Sequence, residues 1–514
     1  MAQTLRALFG NLVLPKRDER VELYSKLGGA LIGSMRKQRP DEAHKDFVKR
    51  VKKHAARLMP HHLGFTWKCI ELEISAHKVL VAWDDDKAKQ IVRDKYKCYA
   101  HHPDVYCIRL GASPTSLVPE VAVYQSTTSC SIEGKYSSRE PEFCNIKALS
   151  GLPSLKCLRL EEGDYDLQSL TNPSLSKLAL HGVRVKNILT LPTTLTKLMA
   201  RGVQHPQVAF RDFVNCFALI EKLELDGNNM TGSLPSEISR LNLATLKVAR
   251  ANLSNTIPAS LGSIQTLKKL DLSGNLLEGC IPSELAGLQR LTVLNLSNNQ
   301  LSGEIPTSLV DLQLKVLDLS QNQLSGEICQ LDALRLEVLD LSHNKLTGSV
   351  PTYGEALFLS KLCLQHNNLT GCIPSSLARL RTVMQFNFSY NRLTGRIPSE
   401  FGNLRNFDFD ASHNRLSGRL PFELLDDADF TRLDLSHNRF WGSLPRELVL
   451  RDGATLCLQH NCLTGNYPTC INASIKHVDL SYNYLCGRVP RYNKKMTTFE
   501  CSNNVNDVDL EVLG

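Results

Sequence analysis

At 514 residues the chain is long for one compact domain, but a stack of repeats has no such ceiling. No run approaches 18 apolar residues, so no membrane-spanning helix is legible. The net charge of +8 is uneven: residues 1–110 hold 22 Lys/Arg against 13 Asp/Glu, and the rest is close to neutral.

Residues 1–40 are weakly patterned, and Gly28, Gly29 and Gly33 oppose a long helix. Ala7 to Leu14, broken by Gly10 and Asn11, makes a poor secretory core, and Leu5 to Phe9 with Lys16 and Arg17 is a candidate mitochondrial presequence. Residues 41–59 predict a helix stopped by Pro60, with Phe47, Val51, Ala55 and Leu58 on one face. Lys45, Lys49, Arg50, Lys52, Lys53 and Arg57 cover the remainder. Such a helix reads first as a solvated face docked on a cap, and alternatively as a contact for RNA or an anionic membrane surface. Strands are expected at 70–74, 79–83 and 105–110, with a helix from Asp84 to Tyr96 whose leading Asp84-Asp85-Asp86 suits its N-terminal dipole better than a metal.

From there the chain repeats. Leu158-Arg-Leu160, Leu178-Ala-Leu180 and Leu198-Met-Ala200 recur every 20 residues. A longer unit comes next: Leu270-Asp-Leu-Ser-Gly-Asn275-Leu-Leu-Glu-Gly279-Cys-Ile-Pro282 returns from Leu294 to Pro306 and from Leu339 to Pro351. A period of about 24 is a solenoid signature. Leu-x-Leu is a short strand with its leucines inward. The asparagine side chain satisfies backbone groups where the coil turns, and stacked coils set these amides in a ladder. The ladder runs through Asn228, Asn275, Asn299, Asn322, Asn344, Asn367, Asn391, Asn414, Asn438, Asn461, Asn483 and Asn504, with Ala251 in the second place. The outward residue of each strand forms a mostly acidic column that includes Asp271, Asp318, Asp340, Asp410, Asp434 and Asp479. Ser342 is expected on an exposed face.

The unit resembles the leucine-rich repeat family in its plant-type form, L-x-G-x-I-P, which is carried by receptor-kinase ectodomains, polygalacturonase-inhibiting proteins and some protozoan surface antigens. The resemblance covers about residues 215–505. It implies an α/β solenoid, a curved right-handed superhelix with a parallel concave β-sheet, preceded by a small basic α/β N-terminal region. The divisions are 1–104 (basic region and cap), 105–215 (degenerate repeats), 216–505 (plant-type repeats) and 506–514 (tail). It also implies a capping disulfide between Cys486 and Cys501.

No nucleotide loop, metal motif or nucleophile elbow occurs, so an enzyme is not expected and no cofactor is implied. The expected function is a non-catalytic scaffold holding a protein or peptide on the concave face. Scattered thiols and the poor leader tilt the compartment toward the cell interior, with a secreted or cell-surface location as the alternative. The residue before each ladder asparagine supplies the candidate binding strip: His343, His366, Tyr390, His413, His437, His460 and Tyr482. These rings should stack near 5 Å apart along one sheet edge, titrating broadly and low because neighbouring imidazoles resist joint protonation.

Overall fold

The computed structural model describes residues 155–505 apart from 330–334, 353–357, 381, 426–428, 472–474 and 491–497, together with Leu149 and the strands Val105–Arg109, Ser129–Glu133 and Cys144–Asn145. The basic helix expected at 41–59, with Lys45, Lys49, Arg50, Lys52, Lys53 and Arg57, lies outside these residues, as do the tail 506–514 and the elements expected between 70 and 96. The chain divides into two compact units at Pro206/Gln207. The boundary expected at 215/216 falls inside the second.

In the first unit the alternation of buried leucines builds parallel strands in sequence order. Ser129–Glu133 lies between Val105–Arg109 and Cys157–Asp166, and Lys177–Val185 and Lys197–Arg201 come after them. The 20-residue period is the register itself: Leu158 pairs with Leu178, and Leu178 with Leu198. Leu160, Leu180 and Ala200 are fully buried beneath it.

In the second unit each Leu-x-Leu forms a strand of three to six residues, from Lys222–Asp226 to Thr498–Glu500, each paired in parallel with the next coil's. Both leucines point inward; Leu270, Leu272, Leu294 and Leu296 are fully buried. Three residues cannot bury this surface alone, so neighbouring coils supply the stability. Between 386 and 440 phenylalanines take over: Phe386, Phe388, Phe401, Phe407, Phe430 and Phe440 are fully buried, and Phe401 meets Phe409 edge-on at 5.1 Å.

The helical layer is slighter than the α/β description implies. After the proline, five-residue segments such as Ser283–Gly287 and Ser399–Asn403 form 3₁₀ turns, each burying one residue, Leu285 or Phe401. Five residues with a proline at the N-cap complete one tight turn and stop. Packing is closest at Gly262, where a Cβ would collide with the Glu284 carbonyl oxygen of the next coil.

A second sheet, absent from the sequence-based expectations, runs along the flank of the stack. The L-x-G segment pairs there as Ser254–Thr256, Leu276–Cys280, Gln300–Gly303 and Gln323–Leu324, and again as Ser417–Gly418, Arg439–Gly442, Cys462–Asn466 and Tyr484–Cys486. Its cause is the extended backbone after each asparagine, whose N–H groups find carbonyls on the preceding coil, as Lys345 does with Leu324.

Candidate functional site

The residue before each ladder asparagine stands where the chain leaves the main sheet, and its backbone is left-handed. The φ values of Gly227, Arg250, Gly274, Asn298 and Gln321 run from 51° to 68°, and those of the seven ring residues from 52° to 55°. Glycine, asparagine and histidine adopt this conformation most readily outside strained sites. Backbone geometry therefore accounts for imidazoles here, but not for Tyr390 or Tyr482.

Hydrogen bonds lock each ring position to the next coil. The His366 N–H donates to the Ser389 carbonyl at 3.0 Å, Tyr390 to Ser412, His413 to Ser436 and His437 to Gln459. The parallel ladder thus continues past the strands, and the side chains overlie one another. His343, His366, Tyr390, His413, His437, His460 and Tyr482 form one stack with successive centroids 4.2, 4.2, 4.1, 4.0, 4.2 and 4.1 Å apart. Interplanar angles lie between 10° and 18°. The expected stack is present, tighter than the interstrand distance alone implies. His343, His366, Tyr390 and Tyr482 are exposed, and His413, His437 and His460 are half-buried.

Burial holds His366 below the ordinary imidazole range, helped by repulsion from His343 and His413 and opposed by Asp410. His437 is lowered in the same way, by burial and then by His413 and His460, against Asp434 and Asp479. Neutral imidazoles are thereby favoured in the stack.

The ladder asparagines hold this edge in place. Asn344 Nδ2 donates to the Leu319, Leu341 and Ser342 carbonyls, and its Oδ1 accepts from the Leu324 N–H. Asn275, beside Ala251, accepts from both the Ala251 and Leu253 N–H groups, so the preceding coil's missing asparagine leaves that amide satisfied.

The acidic column is in the expected register: Asp271 faces Asn295, Asp318 faces Asp340, and Asp410 faces Asp434. Its chemistry is largely internal. One oxygen of Asp271, Asp318, Asp340, Asp410, Asp434 and Asp479 accepts the N–H and hydroxyl of the serine two residues on. The other oxygen meets Lys361 at Asp340 and Arg432 at Asp434. Ser342 is accordingly buried, at 3% exposure, and not on the open face that its spacing suggests. The signal is in the sequence: Asp-x-Ser before the turn is a side-chain-to-backbone motif.

Cys363 and Cys457 take the column place in two coils that read Leu-Cys-Leu-Gln-His-Asn. Burial, with Asp340 and Asp434 beside them, pushes both thiols up to about 12. The capping disulfide implied for Cys486 and Cys501 is not formed. Cys486 lies on the flanking strand Tyr484–Cys486 and donates its thiol to the Gly465 carbonyl and Asn466 Oδ1 of the preceding coil. Among the described residues no cluster of three metal-ligating side chains occurs, and no helix is long and apolar enough to cross a membrane.

Leucine-rich-repeat family models match residues 241–301 and 265–324, and further single repeats at 219–241, 335–357, 358–380, 382–404 and 429–449. No curated protein sequence matches the chain. Similar solved structures include the plant peptide hormone receptor RGFR1 in complex with RGF2, 24% identical, with a TM-score of 0.60 over 77% of this chain and 81% of that one. The ectodomain of the Arabidopsis receptor kinase HAESA, in complex with an N-terminally extended IDA peptide hormone ligand, is 25% identical with a TM-score of 0.58 over 74% of this chain and 69% of that one. The leucine-rich-repeat ectodomain of the Arabidopsis thaliana membrane receptor kinase GASSHO1/SCHENGEN3, in complex with CASPARIAN STRIP INTEGRITY FACTOR 2, is 25% identical with a TM-score of 0.54 over 74% of this chain. The match spans only 55% of that receptor's own length. Residues 219–449 thus carry leucine-rich repeats, and their solenoid is similar in fold to those of receptors of known structure.

Proposed function

We propose that the chain is a non-catalytic scaffold that holds a protein or peptide partner on the concave face and along the ring strip. The observation that carries this reading is the unbroken stack of seven rings, four of them exposed. A fold needs left-handed backbone at these places, but glycine or asparagine meets that need, as at Gly274 and Asn298. Stacked rings add a rigid amphipathic edge, the kind of surface that anchors binding partners. The HAESA ectodomain, similar along three quarters of this chain, holds a peptide hormone.

The same likeness to receptor ectodomains supports a secreted or cell-surface location over the intracellular one. Two of the scattered thiols fit that setting too. Cys363 and Cys457 are buried and held protonated, so they lack the thiolate that oxidation requires.

The test is to select binders from a displayed random-peptide library against the full chain. The triple variant H413N/H437N/H460N then removes three rings while keeping a residue that tolerates left-handed backbone. Selected peptides should lose about tenfold or more in affinity. Peptides that bind both proteins equally would return the strip to a structural role.

A further inference from the structure

Each ladder asparagine precedes a residue that projects outward from the flanking sheet. In three consecutive coils this residue is Arg392, Arg415 and Arg439. Backbone bonds set them side by side: the Arg392, Arg415 and Arg439 N–H groups donate to the Leu369, Leu393 and Leu416 carbonyls of the preceding coils. Four residues further on, Arg396 and Arg419 form a second column. Their stems lie beneath the glycine of the next coil, so that a Cβ at Gly418 would meet Arg396 Cγ at 2.7 Å and one at Gly442 would meet Arg419 Cγ at 3.0 Å. Arg419 also stands over the exposed Trp441 ring, 5.4 Å from its centroid.

All five arginines are exposed, and among the described residues none pairs with a carboxylate. Elsewhere in the same unit some arginines are matched, Arg250 with Asp226, Arg432 with Asp434 and Arg451 with Asp429, and others such as Arg240 and Arg290 are not, so what marks this edge is five unmatched arginines in two adjoining columns. The fold does not demand cations here, since Gln300, Gln323 and Asn368 fill the same place in other coils. Like charges about 4.8 Å apart repel one another, and no described carboxylate offsets that. Uncompensated departures of this kind belong to functional sites.

We propose that this flank is an anion-binding edge, and that its occupant is an acidic segment of the peptide or protein partner, laid across the coils with its carboxylates on Arg392, Arg415 and Arg439. The inference rests on the binding reading above and adds the partner's charge. Guanidinium groups take carboxylates in a two-pronged hydrogen bond. An extended peptide presents one face every ~6.6 Å, so acidic residues at alternate positions reach across the ~10 Å that three coils occupy. The arginines stand two residues from Tyr390, His413 and His437, so one segment can touch both edge and rings.

A nucleic acid fits less well. Single strands bind by laying bases on open aromatic faces. Beside the arginines the faces are taken: Tyr390 lies between His366 at 4.2 Å and His413 at 4.1 Å, His437 between His413 at 4.0 Å and His460 at 4.2 Å, and Trp441 is shared with Arg419.

The test uses the full chain and a fluorescein-labelled (Glu-Ser)4 peptide, read by anisotropy at about 50 and 150 mM salt. Binding should weaken with salt, and R392Q/R415Q/R439Q should weaken it by about tenfold or more at the lower salt. The control R240Q/R290Q/R335Q makes the same change in net charge at exposed positions away from the edge and should bind as the parent does. Circular-dichroism melts of the control should match the parent, and those of R392Q/R415Q/R439Q should match or exceed it, because every replaced side chain is exposed and the edge variant relieves like-charge repulsion. Absence of binding by the parent, equal loss in the control, or tighter binding of an oligothymidylate of equal charge would each overturn the proposal. A library-selected peptide that loses affinity with H413N/H437N/H460N but not with R392Q/R415Q/R439Q would overturn the acidic edge alone and leave the ring strip standing.

Discussion

Asn344 and Ser342 show how much of the repeat serves its own backbone. Asn344 satisfies four backbone groups across two coils, and the buried Ser342 Oγ donates to Asp340 at 2.6 Å. Asn344→Ala strands those groups and should lower unfolding free energy by about 1–3 kcal/mol. Ser342→Ala should cost about 1 kcal/mol, where an exposed serine would have been neutral. Denaturant titration measures both; a neutral Ser342→Ala would mean that the Asp340 bond contributes nothing. Left-handed backbone at His413 makes a parallel case. His413→Asn should be close to neutral, and His413→Val should cost about 1–2 kcal/mol because its branched Cβ opposes φ near 52°.

At the scale of the element, the ring stack is coupled to proton binding. His366 and His437 are held below their ordinary range, so the folded chain binds fewer protons than the unfolded chain near the imidazole pKa of about 6.5. Their neutral state contributes stability that is full above that value. It is lost as pH falls below it, because the unfolded imidazoles charge first. The melting temperature should therefore drop between about pH 7 and 5, and H366N/H437N should flatten that part of the profile. An unchanged slope in the variant would remove the stack as its cause. The flanking sheet shows the same economy of local geometry. Gly303 has φ +78°, and a Cβ there would meet Cys280 Sγ at 2.7 Å, whereas Gly453 at φ +77° faces open space. Alanine at 303 should thus cost more than alanine at 453, where the backbone contribution of about 1 kcal/mol acts alone.

Across the second unit, each coil contacts its neighbours and little else, which makes the repeat removable. Deleting 299–321 joins left-handed Asn298 to ladder Asn322 and removes the strand Val316–Asp318 with its coil. The remaining leucines meet the same partners one coil along. The variant should still unfold in one cooperative transition, at a modestly lower temperature because one interface is gone. Loss of cooperative melting would contradict nearest-neighbour stability. The partner-binding reading also belongs to this scale. A strip of seven rings and an edge of arginines exist only because successive coils repeat in register.

Periodicity along the chain is enough to place the inward leucines, the asparagine ladder, the register of the acidic column and the overlap of His343 through Tyr482. All depend on one fact, that equivalent residues of adjacent coils must lie side by side. Hydropathy and spacing do not encode the rest, which comes from the packed coils themselves. Whereas the inward Ser342 follows from its local Asp-x-Ser wording, which spacing alone overlooks, left-handed backbone explains the histidines, and the flanking sheet carries Cys486 to Gly465 and Asn466. The arginine edge belongs with these. A column of charge can be counted in the sequence, but whether a carboxylate neutralises it depends on which side chains the neighbouring coil brings within reach.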